Sequence, residues 1–166
     1  MASNGRTTVL FISRRGTVRS VLASACLQHL DPGRFRGLAV GDPDAVGREV
    51  HPLALETLRR AHIAAPAGRP GHWNTLCRLG SPRLDLVITL DRATAAELPA
   101  WPGRPEQALW DYPDLLDEQD AAHDPQQFMN VLLSLRRRLE LLVQITRRQA
   151  SRADFSSDLR EMAYMR

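Results

Sequence analysis

Three observations predict an α/β fold in which a four-stranded parallel sheet forms the middle layer of a three-layer sandwich. Short apolar, β-rich runs such as Thr8–Ile12 and Leu84–Leu90 have the length of buried strands. Between such runs lie segments whose apolar residues recur at spacings of three and four, the mark of an amphipathic helix. Strand and helix patterns alternate along the chain, which implies βαβ crossovers and hence parallel neighbours.

The first strand, Thr8–Ile12, runs into Ser13-Arg14-Arg15-Gly16-Thr17-Val18, and a helix follows through Val21, Leu22, Ala25, Cys26 and Leu30 to a stop at Asp31-Pro32-Gly33. Phe35–Val40 reads as the second strand and Gly41-Asp42-Pro43-Asp44 as a turn. Pro52 opens a second helix that closes near His62. A Pro- and Gly-rich loop spans 65–71, and an arginine-containing stretch continues to Pro82. Leu84–Leu90 is the third strand, and Asp91 caps a short helix through Ala96 by accepting its free amide protons. Prolines from 99 to 105 break the chain before a fourth strand at Gln107–Tyr112. The last helix starts at the N-cap Asp124 and Pro125 and carries Phe128, Val131, Leu132, Leu135, Leu139, Leu142 and Ile145 on one face. Arg136, Arg137 and Arg138 read as its solvated side. Residues 1–150 are expected to form one domain. For the polar tail 151–166, a docking helix and an unstructured end both stay open.

Composition narrows the function. The chain has 166 residues, 43% hydrophobic and 25% charged, as in ordinary globular proteins. No apolar run is long enough to span a membrane, and no signal-like segment precedes the first strand, so a cytoplasmic protein with no membrane partner is expected. All 22 basic residues are arginine, a pattern better explained by coding bias than by nucleic-acid binding, because 19 acidic residues are interspersed with them. Nucleic acid is therefore not an expected partner. Two cysteines and five histidines show no metal-ligand spacing, and no cofactor is expected.

The segment between Ile12 and Ser20 joins the carboxyl end of a strand to a helix N-terminus. Ligands bind at that edge of an open α/β sheet, and helix-terminal amides favour anions. Arg14, Arg15 and Arg19 add cationic donors. An oxyanion site and an ordinary βα turn are equally good readings on these grounds alone.

Longer patterns favour the first. Val9-Leu10-Phe11-Ile12-Ser13, five residues, then Arg19-Ser20, resembles the Cys-x5-Arg-Ser phosphate loop of the low-molecular-weight protein tyrosine phosphatases and thioredoxin-coupled arsenate reductases. Ala39-Val40-Gly41, His51-Pro52-Leu53-Ala54, Asp85–Ala93, Leu98–Gly103 and Trp110-Asp111-Tyr112-Pro113-Asp114 resemble later segments of that superfamily in the same order, over roughly residues 7–148. The resemblance implies a phosphatase I-like fold. It also implies an oxyanion (phosphate, sulfate or arsenate-like) held by Ser13, Arg14, Arg15, Gly16, Thr17, Val18, Arg19 and Ser20. In the family a thiolate at the first loop position attacks, the arginine follows the charge of the oxyanion, and a later aspartate protonates the leaving oxygen. Carried over, these catalytic positions are Ser13, Arg19 and Asp114.

The chain departs from the pattern where the chemistry is hardest. Ser13 replaces the cysteine nucleophile, and a hydroxyl needs an adjacent base that the motif does not supply. Leu90 and Leu98 stand where the reductases keep their redox cysteines, and neither Cys26 nor Cys77 matches those places. The loop glycine comes one position late, at Gly16 after Arg15, and Leu115 follows Asp114 where proline is usual. These neighbouring changes favour natural divergence over a single Cys→Ser trap. The expectation is an oxyanion-binding, phosphatase-like protein with lost or strongly reduced turnover. An active phosphatase or arsenate reductase homologue is the alternative, as is a regulatory module with a protein or phosphoprotein partner.

Overall fold

The computed structural model of the chain describes residues 5–116, 123–147 and 158–165. In order these form β1 (Thr7–Ile12), α1 (Arg19–Leu30), β2 (Phe35–Gly41), α2 (Pro52–Arg60), β3 (Gly71–His72), a 3-10 turn (Trp73–Leu76), β4 (Leu86–Thr89), α3 (Arg92–Ala95), β5 (Glu106–Leu109) and α4 (Pro125–Arg147). Residues 158–162 add a helical turn near the end of the chain.

The sheet is parallel throughout, in the order β3-β2-β1-β4-β5. It has five strands, one more than the sequence predicts. The extra strand, Gly71–His72, pairs only with Val40–Gly41, so it has neither the length nor the apolar alternation that marks a strand in sequence.

Side chains alternate across the sheet, and the two faces build two cores. Val9, Phe11, Leu86 and Ile88 enter the larger one, with α1, α2 and α4; Leu10, Ile12 and Val87 enter the smaller one, with Trp73 and Trp101. Helix α1 packs against β1, β2 and α4, which makes it the central helix of the larger face. Its buried surface runs nearly all round, from Arg19 through Leu27, as expected of a helix inside a core rather than on a surface. Helix α2 begins as the sequence implies: Pro52 sits at the first helical position and the His51 Nδ1 accepts the Leu53 amide at 3.1 Å. All three tryptophans are buried and serve as core anchors.

One sequence expectation changes. The solvated arginine triplet of α4 is broken, since Arg138 is only 8% exposed. The polar tail also contributes to the core: Leu159 and Met162 are buried in the larger cluster. Among the described residues, no helix is long and apolar enough to cross a membrane.

The chain reverses direction across the sheet at β1. From there it passes outward to β2 and β3, then returns to place β4 on the other side of β1. The crevice at this switch point lies beyond the carboxyl ends of β1 and β4, where Ser13 and Asp91 stand.

Candidate functional site

The loop from Ser13 to Ser20 is shaped by main-chain contacts. Its carbonyls are drawn away from the crevice: Arg14 O accepts Asp42 N (2.9 Å), Arg15 O accepts Gly47 N (2.9 Å) and Thr17 O accepts His51 N (3.1 Å). Gly16 has φ +66°, and a Cβ there would lie 2.8 Å from the Gly41 nitrogen, so glycine is required both by conformation and by space. The late glycine of the sequence therefore makes the tight turn. Asp42 supports the same wall, its Oδ1 accepting the Asp44 amide at 2.9 Å.

With the carbonyls turned outward, the amides are left over. Ser13 N donates to Val40 O (3.3 Å), Arg14 N to Asp91 Oδ2 (3.0 Å) and Ser20 N to Ser13 Oγ (3.3 Å). For the amides of Arg15, Gly16, Thr17, Val18 and Arg19, no acceptor occurs among the described residues. Residues 16–19 are buried, and helix α1 begins at Arg19 with no side-chain cap and no acidic residue in its first turn. Unpaired buried amides cost about 1–3 kcal/mol each, and a helix N-terminus adds a favourable dipole for negative charge. The arrangement is a set of donors suited to an oxyanion.

Arg19 lies beside these donors, 4% exposed. Its Nη1 donates to the Tyr112 carbonyl (3.0 Å), and its Nη2 faces Asp91 Oδ2 at 3.4 Å and Asp114 Oδ2 at 3.9 Å. Two segments distant in sequence, at Asp91 and at 112–114, thus converge on one guanidinium. Asp114 is half-buried, and its Oδ1 also accepts the Leu116 amide at 3.0 Å.

Asp91 has a larger part than the cap assigned from sequence. Its Oδ1 does cap α3 through Thr94 N (2.8 Å), while Oδ2 takes the Arg14 amide and faces Arg19. An aspartate at the carboxyl end of β4, next to the switch point, was the available signal. Tyr112, whose carbonyl orients Arg19, left none, because any residue supplies a carbonyl.

Ser13 is 2% exposed, and its hydroxyl donates to Ser20 Oγ at 2.8 Å. Among the described residues no histidine or carboxylate bonds to it. Asp91 and Asp114 face Arg19, and His51 spends its Nδ1 on Leu53. The two cysteines offer no replacement. Cys26 is fully buried and its thiol is pushed up to about 11 by burial, while burial also raises that of Cys77, which is partly buried against the smaller core. Neither is poised as a thiolate. Leu90 is fully buried in the larger core and Leu98 packs on the smaller one. Among the described residues, no group of three histidine, cysteine, aspartate or glutamate side chains is placed to hold a metal ion.

A family model described as low molecular weight phosphotyrosine protein phosphatase matches residues 8–151. Solved structures share the fold. The low molecular weight phosphotyrosine phosphatase VcLMWPTP-2 from Vibrio cholerae O395 aligns with TM-score 0.69 and 16% identity, over 87% of this chain and 99% of that one. The tyrosine phosphatase Wzb from Escherichia coli K30, in complex with sulphate, aligns with TM-score 0.67 and 14% identity, over 86% and 99%. A thioredoxin-dependent arsenate reductase from Corynebacterium glutamicum aligns with TM-score 0.64 and 22% identity, over 90% of this chain and 66% of that one. No curated protein matches the chain in sequence. The chain belongs to the low molecular weight phosphotyrosine protein phosphatase family.

Proposed function

We propose that this family member binds phosphate or a similar oxyanion in the Ser13–Ser20 loop and that its phosphatase turnover is lost or strongly reduced. The observation that carries the reading is the set of five amides, Arg15 to Arg19, left without an acceptor among the described residues in a loop whose carbonyls are tied outward. A tetrahedral oxyanion accepts several such donors at once, and the Arg19 guanidinium beside them adds charge-assisted hydrogen bonds. The sulphate complex of the Escherichia coli phosphatase agrees with an anion of this class.

The same geometry argues against covalent catalysis. Formation of a phosphoenzyme would require Ser13 Oγ to lose its proton as it attacks. Among the described residues, the acceptor bonded to that hydroxyl is the neutral hydroxyl of Ser20, which is too weak a base to drive the transfer. Preorganised amides stabilise charge that develops on the anion, but they do not remove a proton. The arsenate-reductase reading loses support for a separate reason, since Leu90 and Leu98 are packed apolar groups and Cys26 is a buried, protonated thiol.

Hydrolysis of p-nitrophenyl phosphate by the natural protein, Ser13→Ala and Ser13→Cys tests the proposal. The natural protein and Ser13→Ala should share a background rate, and Ser13→Cys should exceed it by about 100-fold or more, because a thiolate needs no adjacent base. Turnover by the natural protein that disappears in Ser13→Ala would instead make this a serine-dependent phosphatase.

A further inference from the structure

Arg138 is a buried cation that the anion site does not touch. Among the described residues it makes no ion pair. Its guanidinium carbon lies 5.0 Å from the centre of the Tyr112 ring and 5.7 Å from that of Trp110, Nη2 donates to the Met165 carbonyl, and Nη1 has no partner among those residues. Burying a charge is costly, so the contacts it makes are informative.

Those contacts converge on Tyr112. Its amide donates to Leu90 O at 2.9 Å, its hydroxyl is paired with Ser134 Oγ of α4 at 3.1 Å, and its ring faces Arg138. Held at three points, Tyr112 presents its carbonyl in one direction, to Arg19 Nη1. Arg138 Nη2 in turn donates to the Met165 carbonyl, and Leu159 and Met162 of the same segment are buried in the core that holds Trp110 and Tyr112. Residues 158–165 lie outside the span 8–151 that the family model matches.

We propose that Arg138 is a positioning residue for Arg19, and that residues 158–165 complete the anion site by holding Arg138 against Tyr112. The inference rests on the oxyanion-binding reading. It makes the affinity of a loop near the start of the chain depend on the last residues.

The full-length chain with Arg138→Met, Arg138→Lys or Leu159→Asp tests it. Three readouts are needed: inorganic phosphate affinity by calorimetry, the Arg19 Nε–H resonance, and the thermal midpoint. Arg138→Met and Leu159→Asp should each weaken phosphate about tenfold and shift the Arg19 resonance, while Arg138→Lys, which keeps a cation over the ring, should recover most of the affinity. A fall in thermal midpoint with affinity and Arg19 resonance unchanged would make Arg138 merely structural and overturn the proposal. Should Arg138→Met fail to fold, Arg138→Lys and Leu159→Asp decide between the same two outcomes. If the natural protein binds no phosphate, the oxyanion reading fails by itself, and the Arg19 resonance in the variants then decides the positioning claim.

Discussion

The loop at 13–20 and the segment at 110–116 both end on Arg19, yet they are built differently. The first is held by its main chain: outward-tied carbonyls, a left-handed glycine and a helix N-terminus. The second adds side chains to its main-chain bonds, with Tyr112 clamped by Arg138 and Ser134 as well as by its own amide, and Asp114 turned to Arg19. A main-chain cage does not depend on which side chain occupies position 13, so on the proposed reading serine there keeps the donors and removes the attack. A side-chain assembly has no such tolerance. On that reading, binding and catalysis rest on separable parts of one site.

The strongest way to break the main-chain region is Gly16→Val. A β-branched residue at φ +66° is strained, and its Cβ would collide with the Gly41 backbone. Stability should fall by about 2–4 kcal/mol, measured by urea unfolding, and phosphate binding should vanish. A variant that unfolds like the natural protein would show the loop to be less constrained than its geometry implies.

Arg19→Gln strikes where the two regions meet. Asp91 and Asp114 lose their shared cation, and phosphate loses a charged donor. Affinity should fall about 100-fold by calorimetry, with a smaller stability loss of about 1–3 kcal/mol given the 3.4 and 3.9 Å separations. Unchanged affinity would place the anion contacts on the amides alone and sharpen the contrast further.

The smallest effect concerns pH. Burial first, and His123 second, lower the His51 pKa from its ordinary 6.5. The neutral ring is favoured in the folded chain, where Nδ1 accepts the Leu53 amide, so the unfolded chain binds more protons on acidification. The stabilisation is present above about pH 6.5 and is lost as pH falls through the lower folded value. Unfolding midpoints should decline across that window for the natural protein and decline less for His51→Asn, which keeps a capping acceptor without titrating. Equal slopes would remove His51 as the cause.

Much of this was legible in the sequence. The apolar run before Ser13, the helix after it and the position of Arg19 depend on local patterning, and the structure brings Ser13, Arg19 and Asp114 to one crevice. What was missed lies in long-range contacts. Strand β3 is two residues in a Pro- and Gly-rich loop and exists only through pairing with β2. Asp91 reads as a helix cap because one oxygen has a partner three residues on, while the other reaches Arg14 across 77 positions. Arg138 sits in a run of three arginines that looks solvated, yet its guanidinium lies over the Trp110 and Tyr112 rings and bonds to a carbonyl 27 residues away.

On the proposed reading the loop amides bind an oxyanion although Ser13 has no base among the described residues. Titrating the natural protein with inorganic phosphate while following backbone amide resonances tests it most directly. Saturable shifts concentrated on Arg15, Gly16, Thr17, Val18 and Arg19, with no release of product from p-nitrophenyl phosphate in the same sample, are the predicted result. Amides of the loop that stay unmoved at saturating phosphate would contradict it.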